Sequence, residues 1–240
     1  MAEGISGSEF TLDSIRKALI RQEDVIVFSL IERARFPMNS ALYNPRLDLV
    51  PGFSGPLVDF IVKETEAVQA KAGRYVNPEE NPFFADNLPP SMIPNYNYSQ
   101  VLHPGGASIN INKAIWDMYL NQLLPLFVDA GDDGNYASTA ASDLICLQAL
   151  SRRIHYGKFV AEIKFRDAPN DYEPPIRAKD TDALMKLLTD ERVEKMVKKS
   201  NNADSKRYKV DPSVVARLYD EWVIPLTKLV EVEYLIRRLD

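Results

Sequence analysis

Residues 138–165 read STAASDLICLQALSRRIHYGKFVAEIKF, from Ser138 to Phe165. The stretch has the apolar periodicity of a buried helix, which predicts one long helix stopped before Pro169. It is also rich in cations: Arg152, Arg153, Lys158 and Lys164 lie within its second half. At 100° per residue Arg153 and Lys164 fall about 20° apart on one face. Gly157, Val160 and Ala161 lie between them, so that face reads as two cations about three turns apart above a shallow floor. Such a face suits a compact molecule with two negative ends. A solvated face would interleave acids and bases instead.

Working outward, the periodicity is helical nearly everywhere and no stretch alternates strictly. This predicts an all-α fold: a single large helical domain over residues 1–240, with 1–10 a flexible N-terminus. Thr11 and Asp13 offer capping oxygens to a first helix through Leu12, Ile15, Leu19, Ile26, Leu30 and Ile31. A second helix starts near Ser54, with Pro56 in its first turn, and ends at Gly73. Residues 76–106 form a long proline-rich connection whose aromatic residues predict packing against the body. A helix follows over about 110–127, then the loop GDDGNYAS, with Ser138 as the expected cap of the long helix. Short helices are expected near 171–178, 181–188 and 190–199. Asp211 and Pro212 open the last helix, and Pro225 predicts a kink or a lost backbone hydrogen bond within it.

Composition narrows the function classes. Hydrophobic residues make up 45% and charged residues 26%, and the net charge is −5, which argues against a nucleic-acid footprint. No apolar run is long enough to span a bilayer. The opening MAEGISGSEF has neither an apolar core nor an arginine-rich amphipathic pattern, so it reads as neither a signal nor a transit peptide. With a lone Cys146 and two histidines, His103 and His155, no disulfide can form within the chain and a His/Cys metal site is not expected. Cys146 reads as core and His155 as structural. Arg237 and Arg238 read as partners of the helix dipole or as surface cations. Two pairs at i, i+4 spacing share helix faces, Asp190 with Glu194 and Thr227 with Glu231.

Four long motifs carry a resemblance: TLDSIRKALIRQED, RYVNPEENPFF, the run from Gly131 to Pro169 and PLTKLVEVEYLIRRLD. Together they resemble the all-helical chorismate mutases of plants and fungi, the plant cytosolic form in particular, over about Leu12 to Asp240. The resemblance implies a cofactor-free Claisen rearrangement of chorismate to prephenate on the way to phenylalanine and tyrosine. It implies that Arg16 and Arg153 bind the two carboxylates and that Lys164 lies near the ether oxygen. It assigns Glu194 to the ring hydroxyl, Thr227 to positioning a carboxylate and, less firmly, Asp190 to substrate binding. Glu231 matches the position that donates a hydrogen bond to the ether oxygen. A carboxyl donates only when protonated, so burial is expected to raise its pKa against the pull of Lys164.

The family also implies a homodimer with an effector site for aromatic amino acids at the subunit interface. Its equivalents here are Gly73, Arg74, Gly134, Asn135, Ala137 and Ser138. The regulated pattern has glycine where this chain has Ala137, so a weak or absent response to effectors is expected. Arg74, Asn135 and Ser138 leave weak binding open. The implied compartment is the cytosol, or the plastid if a transit peptide has been removed. The family carries a longer segment where this chain has only Ser200–Ser205. A rival reading makes Arg152, Arg153 and Lys158 an exposed docking face on a non-catalytic helical scaffold.

Overall fold

The computed structural model describes residues 10–47, 49–86, 88–94, 96–189 and 210–240, and among these every regular element is helical. The expected helix over 190–199, Asp190, Glu194 and the short 200–205 segment lie outside them. Helix α1 spans Leu12–Arg33. Thr11 Oγ1 accepts from the Ser14 amide at 3.2 Å, and Ser14 Oγ accepts from the Thr11 amide at 3.1 Å. This reciprocal box satisfies two of the amide donors left over at the helix start. Asp13 takes no part in it and pairs with Lys17 at 2.7 Å.

Helix α2, Leu57–Lys71, begins one residue after Pro56 and gives way to Gly73 at φ 81°. The proline-rich connection packs on the body as its aromatics suggest. The buried Glu66 carboxylate accepts the amides of Phe83 and Phe84 at 2.9 and 2.8 Å. Both phenyl rings sit 5.6 Å from Trp116. The connection also contains the short α3, Pro104–Ala107.

The expected helix over 110–127 is α4, Asn112–Met118, then a π turn over Tyr119–Leu123, then α5, Leu124–Phe127. The C-terminal helix has the same construction: α10, Pro212–Leu218, a π turn over Tyr219–Val223, and α11, Ile224–Ile236. Each π turn precedes a proline, Pro125 or Pro225. A proline ring crowds the carbonyl four residues back and offers it no N–H. The wider turn relieves that crowding, so the disruption expected at Pro225 takes the form of a π turn. The two turns share the spacing Tyr-x5-Pro-Leu, and both tyrosines are fully buried. The turns touch, Trp222 Nε1 donating to Gln122 Oε1 at 3.2 Å.

The long helix of the opening stretch is α6, Tyr136–His155, and α7, Gly157–Asp167, with only Tyr156 between them. It begins two residues ahead of Ser138, which stands exposed in the first turn and does not cap it. Asp133 closes the loop early by accepting from the amide and side chain of Asn135 at 3.0 and 2.9 Å. Pro169 opens α8, Pro169–Ala178, and Asp180 caps α9, Thr181–Leu188. Asp211 caps α10 through the Ser213 amide at 2.8 Å.

The α6–α7 rod threads three apolar clusters. Leu147, Leu150 and Ile154 meet Ile26 and Leu30 of α1 and Val230 of α11. Phe159 and Ile163 meet Leu184 and Leu188 of α9 and Leu235 of α11. Ala140 and Leu144 meet Val58 and Val62 of α2. Cys146 is fully enclosed in the first cluster, where burial pushes its thiol up to about 12.

Candidate active site

Arg153 stands in the last turn of α6 and is 5% exposed. Its Nε and Nη2 both donate to one oxygen of Glu23 on α1, Oε1, at 3.3 and 3.0 Å. Its Nη1 reaches Thr227 Oγ1 on α11 at 3.5 Å. Glu23 is itself buried, and that burial pushes its carboxyl up against the opposing pull of Arg153. Thr227 Oγ1 is oriented by its own donation to the Val223 carbonyl at 2.7 Å, inside the π turn. Lys164 on α7 donates to the Leu188 carbonyl at 2.9 Å and lies 3.8 Å from Glu231 Oε2. Glu231 is 6% exposed.

The structure thus gathers Arg153, Lys164, Thr227 and Glu231 where α6 and α7 meet α11. Arg16 is exposed on α1, outside this set of contacts. It precedes Glu23 by seven residues, on the same helical stripe and about 10 Å along the axis. Glu194 and Asp190 fall outside the described residues. Glu23 was missed by sequence reasoning. Its i, i+7 relation to Arg16 was legible, but its partner Arg153 is 130 residues away.

The floor between the two cations is not bare. A Cβ placed on Gly157 would lie 2.8 Å from the Thr227 carbonyl oxygen, 3.1 Å from Thr227 Cγ2 and 3.2 Å from Glu231 Cγ. The glycine face therefore receives α11, which itself carries two of the expected site residues.

The other cations of the stretch hold structure. Lys158 is 1% exposed and donates to Asn81 Oδ1, the Ala107 carbonyl and the Ile109 carbonyl at 3.0, 3.1 and 3.1 Å. Burial lowers its pKa to about 8. His155 accepts the Ile111 amide at Nε2, 2.9 Å, and its Nδ1 lies 2.8 Å from the Ser151 carbonyl oxygen. Burial and the nearby Lys158 lower it to about 3, so the ring is neutral. Arg152 pairs with Glu80. A docking face needs Arg153 and Lys158 in solvent, and both are buried, so that reading fails. Arg238 is no plain surface cation either: it pairs with the buried Glu162 at 2.7 Å, beside Tyr234 and Arg166.

The effector-site equivalents fall in two separate places, after α2 and at the start of α6. Gly73 and Arg74 close α2, and Arg74 donates to Glu80 Oε2 and, at 2.8 Å, to Gln148 Oε1. Beside them a cleft of about 260 Å³ is lined by Arg74, Asn77, Glu80, Ile93, Tyr96 and Tyr98 among others. Asn135, Ala137 and Ser138 are exposed at the start of α6, with Gly134 before them at φ 74°. Ala137 and the Arg74 partner Gln148 are eleven residues apart, which is about 16 Å of helix. No group of three or more potential His, Cys, Asp or Glu metal ligands occurs among the described residues.

Residues 135–232 match the model of the family "Chorismate mutase type II". The chain is 61% identical to chorismate mutase 2 of Arabidopsis thaliana, over 96% of this chain and 94% of that one. It is 48% identical to the cytosolic chorismate mutase 2 of Zea mays, over 99% and 100%. Among solved structures it resembles the chloroplast chorismate mutase of Zea mays with a TM-score of 0.91 at 50% identity, covering 98% of each chain. It resembles the Candida albicans chorismate mutase in complex with L-Trp with a TM-score of 0.94 at 36% identity, covering 100% and 96%.

Proposed function

The chain belongs to the type II chorismate mutases, isomerases that turn chorismate into prephenate, and from that premise we propose which side chains do the work. Arg16, Arg153, Lys164, Thr227 and Glu231 hold and rearrange the substrate. The family resemblance assigns Glu194 and, less firmly, Asp190 to the same substrate; both lie outside the described residues. One C–O bond breaks and one C–C bond forms within a single molecule, so no proton, hydride or group leaves. The site has to fold the enolpyruvyl arm over the ring and stabilise charge growing on the ether oxygen.

The observation that carries this reading is the convergence of Arg153, Lys164, Thr227 and Glu231 at one helix junction. A substrate carboxylate takes the Arg153 fork in place of Glu23, while the Thr227 hydroxyl turns from the Val223 carbonyl to donate beside it. Arg16 supplies the second carboxylate contact from the open end of the α1 stripe. Lys164 and protonated Glu231 flank the ether oxygen, each donating as the bond lengthens. Loss of chorismate absorbance, measured for Arg153→Ala and Lys164→Ala, tests the assignment. Turnover like the parent in both variants would overturn it.

The protein is a homodimer in this reading. Val25, Val68 and Ile145 leave apolar side chains more than half exposed on α1, α2 and α6, and both α1 and α2 pack against α6. The roughly 16 Å of helix between Ala137 and the Arg74 partner Gln148 also calls for a second chain if the two effector pieces are to meet. The response to tryptophan, tyrosine and phenylalanine is weak or absent, because Ala137 places a methyl where the regulated pattern has glycine and Glu80 and Gln148 already hold Arg74. An enzyme so insulated is not tied to plastid feedback, which favours the cytosol. Light scattering is expected to give twice the chain mass, and a single-chain mass would overturn the dimer. A shift of the chorismate curve by any of the three amino acids would sink the insulation.

A further inference from the structure

Two observations at the α6–α7 junction concern a residue that touches no substrate in this reading. Gly157 is buried, and its missing side chain is the space into which α11 presses. The three atoms nearest a Cβ there all belong to Thr227 and Glu231. The nearest is a backbone oxygen at 2.8 Å, closer than a real Cβ tolerates. A backbone atom cannot rotate away, so any side chain at 157 has to move the helix.

The far end of α11 is fixed. A Cβ on Gly106 of α3 would lie 2.3 Å from the Tyr234 ring. The Tyr234 hydroxyl donates to Glu162 at 2.6 Å and accepts the His103 amide at 2.8 Å. With that end held, displacement at Gly157 becomes a tilt. It moves Thr227 away from Arg153 and Glu231 away from Lys164, contacts that already stand at 3.5 and 3.8 Å.

The geometry points to Gly157 as a positioning residue: its lack of a side chain sets the distance between the cations of α6–α7 and the Thr227–Glu231 face of α11. The inference rests on the proposed roles of Thr227 and Glu231. It opposes ordinary helix propensity, because alanine is the better helix former. Propensity alone predicts a more stable, fully active Gly157→Ala enzyme.

The test is chorismate turnover by Gly157→Ala in the parent and in a Thr227→Ala/Glu231→Ala background, with circular dichroism and a melting curve for each. Misplacement by a fraction of an ångström is expected to lower kcat/KM by about tenfold or more in the parent. In the double-alanine background the same change is expected to cost less than about threefold, because the groups it displaces are gone. Parent-like turnover in Gly157→Ala would overturn the inference. So would an equal loss in both backgrounds, which marks general damage. If Thr227→Ala/Glu231→Ala alone keeps full turnover, the site assignment falls and takes the inference with it. Should Gly157→Ala fail to fold, Gly157→Ala/Thr227→Ser removes the Cγ2 contact and keeps the hydroxyl. Folding or turnover is then expected to recover in part, and no recovery in either would also overturn the proposal.

Discussion

Helices α1 and α6 are joined by two buried arginine–carboxylate pairs of opposite polarity. At one end Arg33 of α1 meets Asp143 of α6 at 2.6 Å, both side chains fully enclosed. At the other Arg153 of α6 meets Glu23 of α1 at 3.0 Å. The first pair is saturated. Arg33 also donates to the carbonyls of Phe36 and Pro37 and to Tyr43 Oη, while Asp143 accepts from Tyr43 and Tyr119. In the second pair two guanidinium nitrogens share one carboxylate oxygen, and the third reaches a hydroxyl at 3.5 Å. Burial alone therefore does not separate scaffold from site. The number of good bonds already made does, because a saturated fork has nothing left to offer a ligand.

The sharpest way to break this comparison is to remove each arginine. Arg33→Ala leaves Asp143 as an uncompensated buried charge and is expected to cost about 3–5 kcal/mol of stability, read by denaturant unfolding. Arg153→Ala is expected to lower kcat/KM at least about a hundredfold while unfolding less readily than Arg33→Ala, since its loosely paired charge has less to lose. Equal melting losses in both variants would erase the distinction.

Glu231 sharpens the ligand side of it. A carboxyl donates to the ether oxygen only when protonated, so turnover is expected to fall as pH rises. Glu231→Gln carries its donor at any pH and is expected to flatten that profile; an unchanged pH–rate curve in the variant would remove Glu231 from the role.

His155 sharpens the scaffold side. Its folded pKa of about 3 lies below the unfolded value of 6.5. The unfolded chain therefore binds the extra proton first. The histidine's contribution is complete above pH 6.5 and is lost as pH falls toward 3, at no more than about 1.4 kcal/mol per pH unit. In His155→Gln that slope is expected to shrink in acid unfolding curves, with chorismate turnover at neutral pH changed less than by Arg153→Ala.

The smallest effect expected concerns the other end of α6. Ala137→Gly removes the methyl from its first turn, and a modest effector response in turnover assays with tryptophan or tyrosine is the expected gain. No response would mean that the Arg74–Glu80–Gln148 bonds, and not the methyl, insulate the chain.

What could be read from sequence was local. Thr11 and Asp211 are capping residues by type and spacing, and both cap as expected. The cation face was legible because Arg153 and Lys164 sit within one periodic stretch. Contacts between distant segments were not. Nothing in the spacing brings Glu23 to Arg153, Glu162 to Arg238, or Thr227 onto Gly157. The π turns were half legible, since prolines at 125 and 225 announce a disturbance without saying how the backbone accommodates it. Ser138 misled for a physical reason: it is a good cap by type, but Asp133 had already closed the loop, and the helix starts two residues before the serine.

Cys146 gives this molecule a built-in clock. The sequence has one thiol, and it is shut inside the cluster between α1 and α6, close to the saturated pair. A thiol-reactive dye can find it only when those helices part. The rate of labelling thus counts openings of the scaffold, one dye per chain, with no engineered tag and no second signal to subtract. Slower labelling in the presence of prephenate would time how often the occupied enzyme breathes compared with the empty one.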